Sequence, residues 1–265
     1  MAPSRFPATS DSIQEILDKK LPEDIGTEQG FARWFEPLRQ RAMIAVSEVH
    51  DAVTERLGDE RAKVLDEEGV PRRVWDVTGT DGRSLLKTAA SARSKIGREL
   101  QSQQAADRLL EGRLSLDQVE QMLLSFPDLG RFRIVCDFSF DVDRAKKVLL
   151  TRRPPSLLGR YPVVDQPKDY VNDPDLRRPT RGHRAYQLAV RVPGEGFRVE
   201  IQWMTELQAA WDLRNHPMYE WSREGGQIPA TLSLQDVTLA EALHLVDLQA
   251  TRNYKEFLRV CRRGR

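Results

Sequence analysis

Apolar and polar positions alternate most clearly in residues 197–205, which read FRVEIQWMT. This period of two is typical of a half-buried β-strand. One face would carry Phe197, Val199, Ile201 and Trp203, and the other would carry Arg198, Glu200, Gln202 and Met204. An acid and an amide in mid-strand, opposite an apolar face, indicate either a cleft-lining surface or the solvated face of an edge strand. The pattern by itself favours the edge strand.

Three other stretches show strand patterns, and the remaining apolar periodicity is helical. The strand patterns cover residues 72–78, 131–138 and 186–192. A turn at residues 193–196 would join the last of these to residues 197–205 as a β-hairpin. Helical patterns cover residues 31–65, 84–100, 101–125, 141–150, 206–215 and 238–262. Gly58 and Asp59 would divide the helix over residues 31–65. Residues 115–117 would begin the later part of the helix over 101–125. Asp141 would cap the helix over 141–150.

Taken together, the elements predict an α+β fold. We expect a small mixed β-sheet of about five strands, flanked by helices and extended by helices at both ends. The predicted division is a helical extension over residues 1–70, a central domain over residues 71–222, and a linker with a final helix over residues 223–265. Residues 151–182 are rich in proline and arginine and predict a long loop, which in a domain of this size is usually functional or mobile.

Composition narrows the class of protein. The chain has 265 residues, of which 31% are charged, and a formal net charge of +1. It therefore lacks the strongly basic character of many nucleic-acid-binding proteins. Its two cysteines are too few for a disulfide framework. No signal-peptide pattern and no apolar run of membrane-spanning length is present, so we expect a cytoplasmic protein without a membrane partner.

Candidate chemistry comes from cations and carboxylates, because the usual phosphate-binding loops are missing. The sequence contains no Gly-Lys-Ser or Gly-Lys-Thr, no Rossmann glycine pattern, no HExxH and no paired CxxC. A nucleotide would have to be held by side-chain cations and a metal ion. Lys87, Ser91, Lys95 and Arg98 follow at steps of four, four and three, which places them on one helix face; the alternative is an ordinary solvated face. Further candidates are the cations Arg133 and Lys168, and the carboxylates Asp128 and Glu200, which could hold Mg²⁺ with substrate phosphates.

Five segments of the chain resemble motifs of one enzyme family in the family's order. They are LKTAASARSKI (residues 86–96), FPDLGRFRIVC (126–136), PKDYVNDP (167–174), GHRAYQLAV (182–190), and VEIQWMTELQAAW (199–211) with HPMY (216–219). The resemblance is to the RelA/SpoT-type nucleotidyltransferases, the alarmone (ppGpp) synthetases, and it covers about residues 72–221. The chain leaves no room for the hydrolase and regulatory domains of long family members, so it resembles a small stand-alone synthetase.

The resemblance implies that the polar face of residues 197–205 is the floor of the active site, against the edge strand that the pattern alone favours. It also implies roles for the candidate residues. Asp128 and Glu200 would bind Mg²⁺, and Glu200 would also accept the proton of the attacking hydroxyl. Lys87, Ser91 and Lys95, together with Arg98 and Arg133, would hold ATP. Lys168, which resembles a further phosphate contact, would serve the acceptor side with His183 and Gln202. The implied reaction moves pyrophosphate from ATP to the 3′-hydroxyl of GDP or GTP, giving (p)ppGpp and AMP.

Departures from the family pattern fall mainly on the acceptor side. His183 stands where the family has a tyrosine that stacks on guanine, Gln187 where it has a histidine, and Met204 where it has an arginine. The loop before Gly182 is also long and basic, with Arg177, Arg178 and Arg181. Three alternatives therefore stay open: the same chemistry on the tRNA 3′ end, as in toxin relatives, the same chemistry on adenine nucleotides, or a non-catalytic nucleotide-binding module. A homo-oligomer also stays open.

Overall fold

The structure is a computed structural model that describes residues 10–79, 85–105, 112–151, 157–177, 183–223 and 226–263. Its helices are α1 (Ser10–Lys20), α2 (Glu23–Gly26), α3 (Glu28–Glu68), α4 (Ala89–Ala105), α5 (Leu116–Ser125), α6 (Ser139–Leu150), α7 (Leu157–Arg160), α8 (Pro174–Arg177), α9 (Glu206–Arg223) and α10 (Ala230–Arg263). Its strands are β1 (Trp75–Gly79), β2 (Gly130–Cys136), β3 (Lys168–Asp169), β4 (Tyr186–Arg191) and β5 (Arg198–Thr205). None of these helices combines the length and the apolar composition that crossing a lipid bilayer requires.

The five strands form one mixed sheet in the order β1-β2-β5-β4-β3. The central pair, β2 and β5, is parallel, whereas every other neighbouring pair is antiparallel. This confirms the predicted α+β class, the strand number and the hairpin of β4 with β5. The edge-strand interpretation of residues 197–205 is wrong, because β5 has a hydrogen-bonded neighbour on each side.

The apolar face of the sheet forms the main core. Phe132 and Ile134 of β2 and Ile201 and Trp203 of β5 are completely or almost completely buried. Helices α3 and α6 pack on this face. Helix α3 approaches closely at Gly130, where a Cβ atom would lie only 2.1 Å from Cγ2 of Val46. The predicted boundary at residues 70/71 stays a prediction, although α3 and the sheet share this core.

Helix α3 is continuous, so the predicted division at Gly58 and Asp59 is wrong. Its first turn is capped by Thr27, whose hydroxyl accepts the backbone N–H of Gly30, and it ends at the left-handed Gly69. One glycine in a helix costs only about 1 kcal/mol. Val53, Leu57 and Val64 continue the buried stripe through this region, and their packing outweighs that cost.

Other helix boundaries also differ from the predictions. Helix α4 begins at Ala89, later than predicted, because Leu86 forms a bridge with Gly130 and the N–H of Lys87 donates to Leu129 O. Ser115 begins α5 with a capping box, as predicted. Asp141 is not the cap of α6; it lies in the first turn and accepts the backbone N–H of Phe138.

The two C-terminal helices are longer than predicted. Helix α9 continues through Pro217, and α10 begins eight residues before the predicted start at residue 238. Helix α10 packs on α9 and α6. It is fixed to the end of β5 by Asp247, which accepts the hydroxyl of Thr205 at 2.5 Å, and to the segment before β4 by an ion pair between Glu241 and Arg184 at 2.6 Å.

Candidate active site

A cavity of about 840 Å³ lies on the polar face of the sheet. Its floor has two rows, because the strand register places side chains of successive strands next to each other. In the first row Arg131 of β2 lies beside Glu200 of β5. The second row consists of Arg133, Gln202, Gln187 and Lys168. All ten predicted site residues line this one cavity: Lys87, Ser91, Lys95, Arg98, Asp128, Arg133, Lys168, His183, Glu200 and Gln202.

One end of the cavity is organised around Asp128, which lies in the turn before β2. Lys87 Nζ is 3.1 Å from one carboxylate oxygen, and Lys95 forms an ion pair with the other. Burial alone would raise the pKa of Asp128, but the two lysines outweigh it and lower the pKa to about 2. Burial also lowers the pKa of Lys87, which Asp128 opposes. This end therefore contains a closely paired cluster of two cations and one carboxylate.

Helix α4 supplies most of the remaining cavity wall at this end. Ser91, Lys95 and Arg98 all line the cavity, so their shared helix face is confirmed and the solvated-face alternative is wrong. Lys87 is not on that helix, because it precedes Ala89, yet it reaches the same place from the Leu86 bridge. The Arg98 guanidinium donates to Ser94 Oγ at 2.7 Å, which fixes it along the helix.

Glu200 lies in the middle of β5. Burial raises its pKa, and the negative charge of Asp128 raises it further. Gln202 Nε2 donates to Glu200 Oε1 at 2.6 Å, and Arg131 is its neighbour across the strand pair. Glu200 is therefore a carboxylate whose affinity for a proton exceeds that of an ordinary glutamate.

The pair Asp128 and Glu200 fits the requirements of Mg²⁺. Both offer carboxylate oxygens, which hard cations prefer, and a cation between them would relieve the repulsion that raises the pKa of Glu200. Within the described ranges, no three side chains of histidine, cysteine, aspartate or glutamate form a metal-binding group. The pair would thus need further oxygen ligands from a substrate or from water.

The other end of the cavity is centred on His183. Its Nδ1 atom is 2.9 Å from Oδ1 of Asp212, and its Nε2 atom is 3.2 Å from the amide nitrogen of Gln187. The ring of Tyr170 meets the imidazole edge-to-face at 5.3 Å. His183 is thus contacted from three different parts of the chain: α9, β4 and the turn after β3.

Arg133 also belongs to this end of the cavity. Its guanidinium forms an ion pair with Asp212 and donates to Gln202 Oε1 at 3.3 Å. The prediction grouped Arg133 with the ATP-binding residues, whereas the structure places it in the second row of the floor beside Gln202. Its role stays a prediction.

Sequence reasoning missed the contribution of α9. Asp212, His216 and Tyr219 line the cavity, and their spacing of four and three residues places them on one helix face. The spacing is present in the sequence, but the predicted helix ends at residue 215, before His216 and Tyr219. Of these residues, Asp212 is the most strongly perturbed: burial would raise its pKa, but the hydrogen bond from His183 and the charges of His183 and Arg133 lower it to about 2.

Comparison with known proteins gives one curated relative. GTP pyrophosphokinase YjbM of Bacillus subtilis (strain 168) is 30% identical to this chain over 141 residues. The aligned segment makes up 51% of this chain and 58% of that relative, so it spans little more than half of the relative's length. No protein-family model matches the sequence.

Solved structures match over more of the chain. The small alarmone synthetase 1 from Bacillus subtilis bound to its product pppGpp has a TM-score of 0.56 and 24% identity, covering 82% of this chain and 96% of that one. The same synthetase bound to AMPCPP has a TM-score of 0.54 and 22% identity, with coverage of 85% and 98%. A GTP pyrophosphokinase family protein from Streptococcus pneumoniae has a TM-score of 0.58 and 17% identity, with coverage of 85% and 95%. The chain has the fold of the small alarmone synthetases.

The departures from the family pattern occupy two different places in this small alarmone synthetase fold. His183 and Gln187 line the cavity and contact each other. Met204 does not line it; the side chain is fully buried and packs with Val135, Ala185 and Ala209. The predicted acceptor-side role of position 204 is therefore not supported by its location. Arg178, Arg181 and the side chain of Arg177 lie outside the described part of the chain.

Proposed function

We propose that this protein is a pyrophosphokinase that transfers the β,γ-phosphates of ATP to the 3′-hydroxyl of GDP or GTP and releases AMP. The observation that carries the proposal is the pair Asp128 and Glu200 in a single cavity, with Lys87 and Lys95 beside Asp128. The similar proteins add support, because one is named a GTP pyrophosphokinase and another was solved with pppGpp and with AMPCPP.

ATP would bind at the Asp128 end. Lys87, Lys95 and Arg98 provide positive charge for a triphosphate, and Ser91 is a small hydroxyl on the same wall, which lets the phosphates approach closely. Mg²⁺ held by Asp128, Glu200 and the phosphates would neutralise the charge that develops during transfer. Phosphoryl-type transfer depends mainly on positioning and charge neutralisation, so this small set of residues is sufficient in principle.

The reaction forms one bond and breaks one. The 3′-oxygen of the acceptor attacks the β-phosphorus of ATP, the bond from that phosphorus to the α,β-bridging oxygen breaks, and AMP leaves with that oxygen. Glu200 takes the hydroxyl proton, a role that suits a carboxylate whose pKa is raised by burial. Gln202 orients Glu200 through the 2.6 Å hydrogen bond.

The acceptor would occupy the His183 end, near Lys168 and Gln202. The tRNA 3′ end and adenine nucleotides are the competing acceptors, because His183 and Gln187 replace the family's residues there. A non-catalytic nucleotide-binding module is less consistent with the retention of both carboxylates. We expect the protein to act in the cytoplasm, where ATP is supplied, and a homo-oligomer stays a prediction.

The test is a transfer assay with ATP labelled in the γ-phosphate and a panel of GDP, GTP, AMP, ADP and deacylated tRNA. We expect labelled product from GDP and GTP, and a loss of at least 1,000-fold in kcat for Glu200→Gln, because the amide cannot accept the proton. Lys147→Ala, on the exposed side of α6, is a control that should retain wild-type activity. Label transferred only to tRNA or to adenine nucleotides would show that the acceptor is not GDP or GTP. No transfer to any acceptor of the panel would refute the proposed pyrophosphokinase activity.

A further inference from the structure

A continuous chain of polar contacts runs from the His183 end of the cavity to Glu200. Asp212 contacts both His183 and Arg133. Arg133 contacts Gln202, and Gln202 in turn donates to Glu200. The chain therefore runs from the acceptor end to the carboxylate that we propose as the general base. Asp212 is the branch point, since one of its oxygens faces His183 and the other faces Arg133.

The contacts of His183 define where its ring proton lies. The carboxylate of Asp212 can only accept a hydrogen bond, so His183 Nδ1 carries a proton and donates it to Asp212 Oδ1. His183 Nε2 contacts the side-chain amide of Gln187 at 3.2 Å. Both ring nitrogens are thus used within the protein, and neither is left to form a hydrogen bond with the edge of a nucleobase.

These contacts also connect two residues that depart from the family pattern. His183 and Gln187 differ from the family pattern, and the structure shows that they satisfy each other at 3.2 Å. Asp212 lies on α9, a different element, and completes the arrangement from the opposite side of the ring. The His183 side chain is only 13% exposed, so these contacts cover most of the imidazole, and the ring still lines the cavity.

We propose that Asp212 is a positioning residue of the acceptor subsite, which fixes His183 as an immobile flat surface for the acceptor's base and holds Arg133 beside Gln202. The proposal rests on the proposed function. Recognition at His183 then occurs through the face of the ring, by stacking, whereas hydrogen bonding to the base falls to other residues. The proposal assigns Arg133 to the acceptor subsite instead of the predicted ATP site. Asp212 contacts neither Asp128 nor the two lysines beside it, so ATP binding should not depend on Asp212.

The kinetic test compares Asp212→Ala with Asp212→Asn and with Arg214→Ala, an exposed position on the same helix that does not line the cavity. Asp212→Ala should raise the KM for GDP at least tenfold while the KM for ATP stays within twofold. Asp212→Asn keeps an oxygen that can accept the His183 proton but loses the charge that pairs with Arg133. It should therefore raise the KM for GDP less, about threefold, and Arg214→Ala should change neither KM.

A second measurement does not depend on turnover. The chain has four histidines, so their ring nitrogens can be assigned by ¹⁵N NMR with one variant each. We expect His183 to carry its proton on Nδ1 in the wild type and in Asp212→Asn, and to lose this fixed state in Asp212→Ala. Calorimetric titration with GDP should show a dissociation constant at least tenfold higher for Asp212→Ala.

Each outcome decides the proposal. An unchanged KM for GDP in Asp212→Ala overturns it, as does an equal rise in both KM values with a lower melting temperature, which would indicate a merely structural role. If the wild type transfers pyrophosphate to no acceptor, the proposed function fails. The GDP titration and the NMR signal of His183 then decide this inference alone: weakened binding with loss of the Nδ1 proton supports it, and unchanged binding overturns it.

Discussion

Two carboxylates in the same cavity have pKa values shifted in opposite directions. Asp128 faces two lysines, which lower its pKa to about 2 against the effect of burial. Glu200 is half-buried, and burial and the charge of Asp128 raise its pKa against the opposing charges of Arg131 and Lys95. Asp128 is therefore charged throughout the physiological range and suited to a metal ion or an ion pair, whereas Glu200 is suited to exchange a proton.

The pH dependence of turnover should report the state of Glu200. The active form is the deprotonated one, so activity is present above the pKa of Glu200 and is lost as the pH falls through it. Because burial raises this pKa above 4.5 in the protein without a bound metal ion, kcat/KM for ATP, which reports the enzyme before Mg²⁺ and ATP bind, should decline on an acid limb that lies above pH 4.5. The measurement is kcat/KM for Mg²⁺ and ATP against pH at saturating GDP, with circular dichroism to confirm that the protein stays folded. A rate that stays constant down to pH 4.5 would contradict the assigned role.

Asp212 should make stability depend on pH in the acid range. Its pKa is about 2 in the folded protein and close to 4 in the unfolded chain. Its contribution is thus complete above pH 4 and is lost as the pH falls from 4 toward 2, with a full size of about 2 kcal/mol. Urea unfolding of the wild type and Asp212→Asn should show a difference in free energy of unfolding that is about 1 kcal/mol larger at pH 7 than at pH 3. An equal difference at both pH values would count against the low pKa.

At the scale of elements, β2 and α3 pack closely because Gly130 has no side chain. A Cβ atom there would lie 2.1 Å from Cγ2 of Val46, so Gly130→Ala should lower the free energy of unfolding by about 1–3 kcal/mol. Val46→Ala should relieve the clash, and the double variant should be at least about 1 kcal/mol more stable than the sum of the single effects. Urea unfolding of the two single variants and the double variant measures these free energies.

The matched control for this substitution lies within α3. Gly58 has no atom within 4 Å of a Cβ position, and alanine favours a helix over glycine by about 1 kcal/mol. Gly58→Ala should therefore leave stability unchanged or raise it slightly. If Gly130→Ala were equally harmless, the close approach of β2 and α3 would be wrong.

Local periodicity predicted β5 well, but it did not predict where the strand lies in the sheet. The alternation of apolar and polar residues in residues 197–205 is confirmed by the burial of Ile201 and Trp203 on the core side. Whether the other face meets solvent or a cavity depends on β2, which pairs with β5 in parallel from a distant part of the chain. A single sequence does not carry that pairing as a local signal.

Two helix ends are also predicted wrongly, because contacts with other parts of the chain decide them. Lys87 seemed to belong to the helix by spacing alone, but the pairing of Leu86 with Gly130 holds this segment extended and delays α4 to Ala89. The predicted helix ends at residue 215, yet α9 continues through Pro217 to Arg223. The longer helix brings His216 and Tyr219 to the cavity, and these tertiary contacts override the local preference.

At the scale of the whole molecule, the sheet separates packing from chemistry. One face is covered by α3 and α6 and forms the core, and the other carries the polar rows beneath the cavity. Helices α4 and α9 supply the two ends, so ATP and acceptor subsites would be built by different elements on one rigid floor. The resemblance found in the sequence agrees with this arrangement, since all ten predicted site residues line the cavity and the fold matches the small alarmone synthetases.

The measurement that tests the central claim most directly is the structure of the product formed from ATP and GDP. Mass spectrometry and ³¹P NMR should show one pyrophosphate group on the 3′-oxygen of the guanosine nucleotide, with one AMP released for each product molecule. Glu200→Gln should form neither. Release of ADP and phosphate, or AMP formed without a 3′-pyrophosphorylated nucleotide, would contradict the account.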